Sequence, residues 1–325
     1  MKFVFVSFHQ EGFDCLKALL EDGIKFEAIF TFTEEKVRAL SAGVDFEPLA
    51  RIHDTPFYRV ESIMSDEAIR LLEKIAPDII FVIGWTEIVR KSVRDLAKYG
   101  CIGMHASLIP EYRGGSPVNW AIINGEERAG QTMFWLASKL DKGDLIDQEP
   151  VEISIHDTCG TVYKKVAEAG IKMLRRNMSP ILEGAAPRLP QSELGKPVYP
   201  RRKPEDGLIK WDQSAKKVYD FIRAITHPYP GAFTMINKKK LFLWEAELIT
   251  EWPTADNLEP GEILAFCPGF GSSSGSAIVK CANGAILLKR VQWEDGVEVD
   301  AYSLYQTKQL SEGSSVPLLS EGMKL

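Results

Sequence analysis

The chain has 325 residues, 45% hydrophobic and 26% charged, with a net charge of −6. These figures describe an ordinary globular protein of one large or two medium domains and argue against generic nucleic-acid binding through bulk positive charge. No apolar run approaches the roughly 20 residues that span a bilayer, so a cytoplasmic protein with no membrane partner is expected.

The first eight residues, Met-Lys-Phe-Val-Phe-Val-Ser-Phe, have the look of a short signal sequence. They lack a small-residue cleavage site and pass straight into a helical pattern, so a buried first strand over 2–8 is the reading. His9, Gln10 and Gly12 fall on the strand-to-helix turn that follows, where polar residues would face an acceptor substrate. Helical spacing over 13–21 (Phe13, Leu16, Leu19, Leu20) stops before Gly23. A second apolar run spans 26–32. After Ser65 a further helix carries Ala68, Ile69, Leu71, Leu72 and Ile75 and ends before Pro77. Asp78–Gly84 is another buried-strand run, followed by a helical stretch at 87–98 and a short strand at 100–104. Wholly apolar strands alternating with helices predict an α/β fold, a doubly wound and mostly parallel sheet covered on both faces. Sites in such sheets lie beyond the carboxyl ends of the strands. Trp85-Thr86-Glu87-Ile88-Val89 stands at one such end, and residues 104–106 at the next.

Strands are expected at 131–136 and 145–153, and a long helix from Thr158, capped by Asp157 or Thr158, with Val162, Val166, Ala169, Ile171 and Leu174 on one face. Residues 1–185 are thus read as a catalytic domain. Five prolines between Pro187 and Pro204 mark 186–206 as a linker. Residues 207–325 read as a helix at 212–226 and short strands at 232–236, 241–249, 261–266, 277–281 and 284–291. That spacing predicts a smaller antiparallel β-barrel domain, with a loop at Pro268–Gly275 and a frayed final dozen residues. The five cysteines are scattered and odd in number, without C-x-x-C spacing, and the five histidines are dispersed. Neither a disulfide framework nor a metal site is expected.

The chemistry concentrates between residues 99 and 146. His105 follows an apolar strand and precedes a turn rich in Pro and Gly; 36 residues later Asp141 sits on a second turn. A histidine and an aspartate on two strand-to-loop junctions are how an open α/β sheet builds a proton-transfer site.

The flanking residues resemble a known family. His105-Ala-Ser-Leu-Ile-Pro110, Arg113-Gly114 and Pro117 are similar to the H-x-S-L-L-P-x-x-R-G-x-x-P signature of formyltransferases that use 10-formyltetrahydrofolate. Leu140-Asp141-x-Gly143-Asp144 is similar to their second signature. Arg202-x-Pro204-Glu-Asp-Gly207-x-Ile209-x-Trp211 and Ile222-Arg-Ala224…Pro228-Tyr-Pro-Gly-Ala-Phe233 resemble the OB-like C-terminal domain of methionyl-tRNA and some sugar-nucleotide formyltransferases. The resemblance implies formyl transfer from 10-formyltetrahydrofolate to an amine, with His105 as general base or oxyanion donor and Asp141 orienting it. It implies that Trp85, Thr86, Glu87, Ile88 and Val89, with Leu136 and Leu140, hold the folate. Ser107, Arg113, Gly114 and Gly115 join His9, Gln10 and Gly12 on the acceptor side, Arg113 meeting a phosphate or carboxylate. One departure stands out: the family carries an asparagine two residues before the histidine, and here it is Gly103. Losing one oxyanion donor costs about 100–1000-fold in rate, so a catalytically impaired folate- or nucleotide-binding homologue is one alternative, unless a backbone N–H, a water or Ser107 compensates.

Two acceptors compete. Residues 201–325 hold 15 Lys+Arg against 16 Asp+Glu, which does not suit a domain that grips tRNA phosphates. The segment after Phe32 is mixed in charge, and Val44-Asp-Phe46 with Pro56-Phe-Tyr58 is closer to sugar-modifying relatives. A nucleotide-linked amino sugar is therefore favoured, with methionyl-tRNA as the alternative; homodimer formation is left open.

Overall fold

The computed structural model describes residues 1–192, 197–249, 258–269 and 275–312. In it the chain forms two compact units: Met1–Val118, Glu127–Ser154 and Thr161–Arg201 make one, and Asn119–Glu126, Ile155–Gly160 and the chain from Arg202 on make the other.

In chain order the first unit runs β1 (Phe3–Val6), α1 (Gln10–Glu21), β2 (Ala28–Phe32), α2 (Glu34–Arg38), α3 (Glu47–Ile52), β3 (Phe57–Val60), α4 (Asp66–Ile75), β4 (Ile79–Val82), α5 (Lys91–Arg94) and β5 (Gly100–His105). There follow α6 (Pro117–Ile123), whose first residues belong to this unit, β6 (Arg128–Trp135), β7 (Leu145–Glu152) and α7 (Cys159–Leu182), most of which does. The sheet order is β3-β2-β1-β4-β5-β6-β7. Pairings from β3 to β5 are parallel; β5–β6 and β6–β7 are antiparallel. Every residue of β1, β2 and β4 is buried, as strands covered on both faces must be. Strand order reverses between β1 and β4, so the crevice available to a ligand opens past their carboxyl ends.

The helices follow local chemistry with two exceptions. Ser65 caps α4 by accepting from the Ala68 N–H at 3.2 Å, and Ala76 turns left-handed at its end, before Pro77. α1 begins three residues earlier than its apolar spacing predicts, because the His9 imidazole is its cap. The helix expected at 87–98 shrinks to one turn at Lys91–Arg94. Its later donors go elsewhere: the Lys98 and Tyr99 N–H groups bond Pro77 and Asp78 carbonyls at 3.0 and 2.9 Å, ending the helix to align β5.

Residues 186–192 and 197–201 of the segment expected as a linker belong to the first unit. Leu189 and Leu145 exchange backbone hydrogen bonds, the Tyr199 N–H donates to the Arg113 carbonyl at 2.8 Å, and the Gly115 N–H to the Tyr199 carbonyl at 2.9 Å.

The second unit contains α8 (Ala215–Ile225), capped by Ser214, and β8 (Ala232–Ile236), β9 (Lys239–Ile249), β10 (Ile263–Cys267), β11 (Ser276–Lys280), β12 (Ala285–Trp293), β13 (Val299–Asp300) and α9 (Tyr302–Gln306). Its ladder reads β10-β11-β12-β9-β8, antiparallel, with β13 on β12. Among the described residues this is an open sheet: no pairing of β10 with β8 closes the barrel the sequence suggests. Trp211 is buried in its core, the indole N–H donating to the Thr234 hydroxyl. The middle of the loop expected at 268–275 and the final residues from 313 lie outside the described residues. Among those described, no helix is long and apolar enough to cross a membrane, and no group of His, Cys, Asp and Glu is placed to hold a metal ion. All five cysteines are free thiols.

Candidate active site

His105 is the last residue of β5, where that strand leaves the sheet between β4 and β6. Its Nε2 lies 2.8 Å from the Tyr112 carbonyl oxygen. A carbonyl can only accept, so Nε2 is the donor of this bond, and Nδ1 is the nitrogen left to exchange a proton. Nδ1 faces Asp141, 3.9 Å from Oδ2, and both side chains are 11% exposed.

Asp141 is presented by a turn that is held from several sides. Its backbone is left-handed, with φ at +51°, a conformation Asp tolerates better than most residues. Oδ2 accepts the Gly114 N–H at 2.9 Å. Gly143, two residues on, lies where a Cβ would sit 1.6 Å from the Trp135 carbonyl oxygen, so no side chain fits there. The Arg113 Nε donates to the Asp141 carbonyl at 3.2 Å.

Arg113, expected from sequence to meet the acceptor, is buried among these loops. It is 5% exposed, and its guanidinium also donates to Gln191 Oε1 at 2.6 Å and the Ser192 carbonyl at 3.5 Å. Its role here is to join two loops. Gly114 and Gly115 pair with residues 199–201 so tightly that a Cβ at either would fall 2.2 to 2.4 Å from backbone atoms; the Gly114 N–H goes to the Asp141 carboxylate and the Gly115 N–H to the Tyr199 carbonyl. Ser107 is turned inward as well: it is buried, its hydroxyl donates to the Glu111 carbonyl at 2.7 Å, and its carbonyl accepts from Thr132 at 2.6 Å. Its hydroxyl is committed within the loop.

Position 103 lies on the same face of β5 as His105, two residues away. The structure fills the space beside it. A Cβ built on Gly103 would lie 2.5 Å from Cδ2 of Leu136. The place where the resembled family has an amide is here the edge of a leucine, and Leu136 thereby lies beside the histidine strand.

At the switch point, the residues assigned to the cofactor and to the acceptor separate into those that meet and those that do not. Trp85 stacks on Phe32 with ring centroids 3.7 Å apart and meets Phe8 edge-on. Its indole nitrogen is buried without a hydrogen-bond partner. Gly84 abuts His9, where a Cβ would come within 2.7 Å of the His9 Cβ, so the turns after β1 and β4 touch. The His9 Nδ1 accepts the Glu11 N–H at 3.2 Å, and desolvation holds the imidazole pKa down at about 4, leaving it neutral near pH 7. Gln10 is exposed and bonded to Asp14 at 2.8 Å. Gly12 is packed where a Cβ would sit 2.0 Å from the Ser7 hydroxyl and 2.7 Å from the Ile83 carbonyl; it brings α1 close to β1 and β4. Glu87 turns away to Lys36 at 2.9 Å and the Ser62 hydroxyl at 3.0 Å. Val89 is core; Thr86, Ile88 and Leu140 are exposed.

Sequence reasoning missed Tyr112, whose carbonyl fixes the histidine tautomer, and Gln191, in the presumed linker. Neither carries a local signal: one acts through its backbone, and the other follows Pro190 in a stretch without periodicity.

A family model described as formyl transferase matches residues 1–178, and a model of the formyl transferase C-terminal domain matches residues 201–309. The chain is 32% identical over 317 residues to a methionyl-tRNA formyltransferase of Pelotomaculum thermopropionicum, covering 96% of this chain and 97% of that one. Among solved structures it is similar to HypX from Aquifex aeolicus, with a TM-score of 0.67 and 18% identity over 96% of this chain and 48% of that one. It is also similar to an N-formyltransferase of Helicobacter canadensis, solved with folinic acid and dTDP-3-aminofucose, with a TM-score of 0.63 and 18% identity over 89% and 98%.

Proposed function

The chain belongs to the formyl transferase family, an enzyme family that takes its formyl group from formyl-tetrahydrofolate, and from that premise we propose that His105 and Asp141 carry the transfer to a small amine, a nucleotide-linked amino sugar. One observation carries the site reading: an imidazole whose Nε2–H is committed to the Tyr112 carbonyl, with its free Nδ1 3.9 Å from the Asp141 carboxylate. When bound, the folate supplies an activated formyl carbon for the amine to attack. Nδ1 takes the proton that the amine nitrogen sheds as its bond to carbon forms, and returns it to the nitrogen that leaves. The imidazolium formed in between sits beside the carboxylate, an interaction of about 4 kcal/mol for unit charges 4 Å apart at an effective dielectric near 20. With no side chain at 103 and Ser107 turned inward, stabilisation of charge on the formyl oxygen falls to that same imidazolium. The buried, unpartnered Trp85 N–H at the β4 end suits a heterocycle rich in acceptors, so Trp85 and Leu136 are assigned to the folate side. His9, neutral on the adjoining turn, is assigned to the acceptor side.

For the acceptor, the charge pattern supports a small molecule. Between residues 33 and 59 the basic side chains are all neutralised locally: Lys36 by Glu87, Arg38 by Glu34, Arg51 by Glu47, and Arg59 by Glu34, Asp45 and Glu47. A surface of this kind offers no surplus cation to an RNA backbone. Methionyl-tRNA is the second reading, favoured by the full-length similarity to the Pelotomaculum enzyme. The test is formyl transfer from 10-formyltetrahydrofolate to a panel of UDP- and dTDP-linked amino sugars and to methionyl-tRNA. Turnover with a sugar nucleotide and none with the charged tRNA is expected; the reverse would overturn the acceptor assignment. His105→Ala and Asp141→Asn should each lower kcat by about 10²–10⁴-fold, and wild-type rates in both would remove the site.

A further inference from the structure

Three groups converge on the turn that presents Asp141, and one of them has no assigned role. Gln191 Nε2 donates to the Asp141 carbonyl at 3.0 Å and to the Gly143 carbonyl at 2.6 Å, while its Oε1 accepts from Arg113 at 2.6 Å. Two carbonyls demand a donor and a guanidinium demands an acceptor, so only a neutral amide in this orientation satisfies all three. Around it, the neighbouring residues of the same segment hold the histidine side. Tyr199 stacks on Tyr112 at 4.9 Å, and it is the Tyr112 carbonyl that takes the His105 Nε2–H. The Tyr199 backbone pairs with Arg113 and Gly115, which flank the Gly114 N–H that the Asp141 carboxylate accepts.

We infer that Gln191 is a positioning residue for proton transfer: it holds the turn at 141–143, left-handed at Asp141, that keeps the Asp141 carboxylate against the Gly114 N–H and opposite His105 Nδ1. The inference rests on the proposed roles of His105 and Asp141. It gives residues 189–192 and 197–201 a function in the chemistry as well as in chain connection.

The test uses the full chain with two substitutions. Gln191→Ala removes all three bonds; Gln191→Glu keeps an acceptor for Arg113 but sets a carboxylate against two carbonyls. Kinetics with 10-formyltetrahydrofolate are read with a dTDP-linked amino sugar and with methionyl-tRNA as acceptor probes, and amide exchange is followed at Gly114. Since a displacement of about 1 Å costs on the order of 10²-fold, both variants should lose about 10- to 100-fold in kcat, with KM for the folate moving by less than about threefold. The Gly114 amide should exchange at least about tenfold faster, and this readout does not depend on the acceptor. Adding Gln191→Ala to Asp141→Asn should cost nothing further, since the two act as one unit. Wild-type kcat in either Gln191 variant, or unchanged protection of Gly114, would overturn the proposal. If Asp141→Asn is impaired while Gln191→Ala is not, the positioning role alone falls; if Asp141→Asn is unimpaired, the site reading falls with it.

Discussion

Position 103 shows how much one absent side chain rearranges. The glycine backbone there is not left-handed, so no conformational demand excludes another residue; the obstacle is Leu136, whose Cδ2 occupies the space. The sequence suggests that Gly103→Asn would be tolerated and could raise the rate. The structure adds a cost, since the new Cβ must displace a packed methyl group. Gly103→Asn is expected to lower stability by about 1–3 kcal/mol, as overpacking does, and Leu136→Ala in the same chain should return most of it. Urea unfolding of the two single variants and the double variant measures this; strict additivity would mean that the two positions do not share the space.

At the scale of elements, α1 is tied to the sheet by a buried polar contact. Glu11, in its first turn, accepts from the Gln131 side chain on β6, and burial raises its pKa from 4.5 to about 7. The folded state therefore binds a proton that the unfolded state has already released between these two values. By linkage, stability falls as pH rises from about 4.5 to about 7 and is then level in this respect. Glu11→Gln removes the titration: its stability relative to wild type should be greater at pH 8 than at pH 5, by up to about 3 kcal/mol for a shift of this size. Chemical denaturation at the two pH values checks the sign, and an equal difference at both would show that Glu11 is not protonated in the fold. Elements also mark where the sequence could and could not be read. β1, β4 and α4 are legible because their apolar spacing and caps are local. The helix expected at 87–98 is not, because Pro77 and Asp78, distant in sequence, take the donors that would have continued it.

For the whole molecule, the balance of charge sets what the enzyme can attract from solution. With 15 basic against 16 acidic residues from 201 on, and the cations of 33–59 paired, long-range steering of a polyanion is weak. The KM for a sugar-nucleotide acceptor should change by only a few-fold between 50 and 200 mM salt, whereas 6–10 phosphate contacts would lose about 10³–10⁵ in affinity over that range. Steady-state kinetics across that series decide the point; a steep slope would favour tRNA. The charge count is available from sequence, but its meaning comes from the fold, which shows Lys36, Arg38, Arg51 and Arg59 each already facing a carboxylate.

The sequence by itself determined the fold class and the family resemblance, and it singled out His105, Asp141 and Gly103 for the proposal. These rest on residue type and on spacing within a strand or turn, which a linear chain displays directly. Only the tertiary structure decided which histidine nitrogen bonds the Tyr112 carbonyl, that Arg113 and Ser107 face inward, that Leu136 fills the gap beside Gly103, and that Gln191 closes on the aspartate turn. Each is a contact between segments, fixed by whichever buried donor finds an acceptor once the chain has closed. No local pattern encodes such a match.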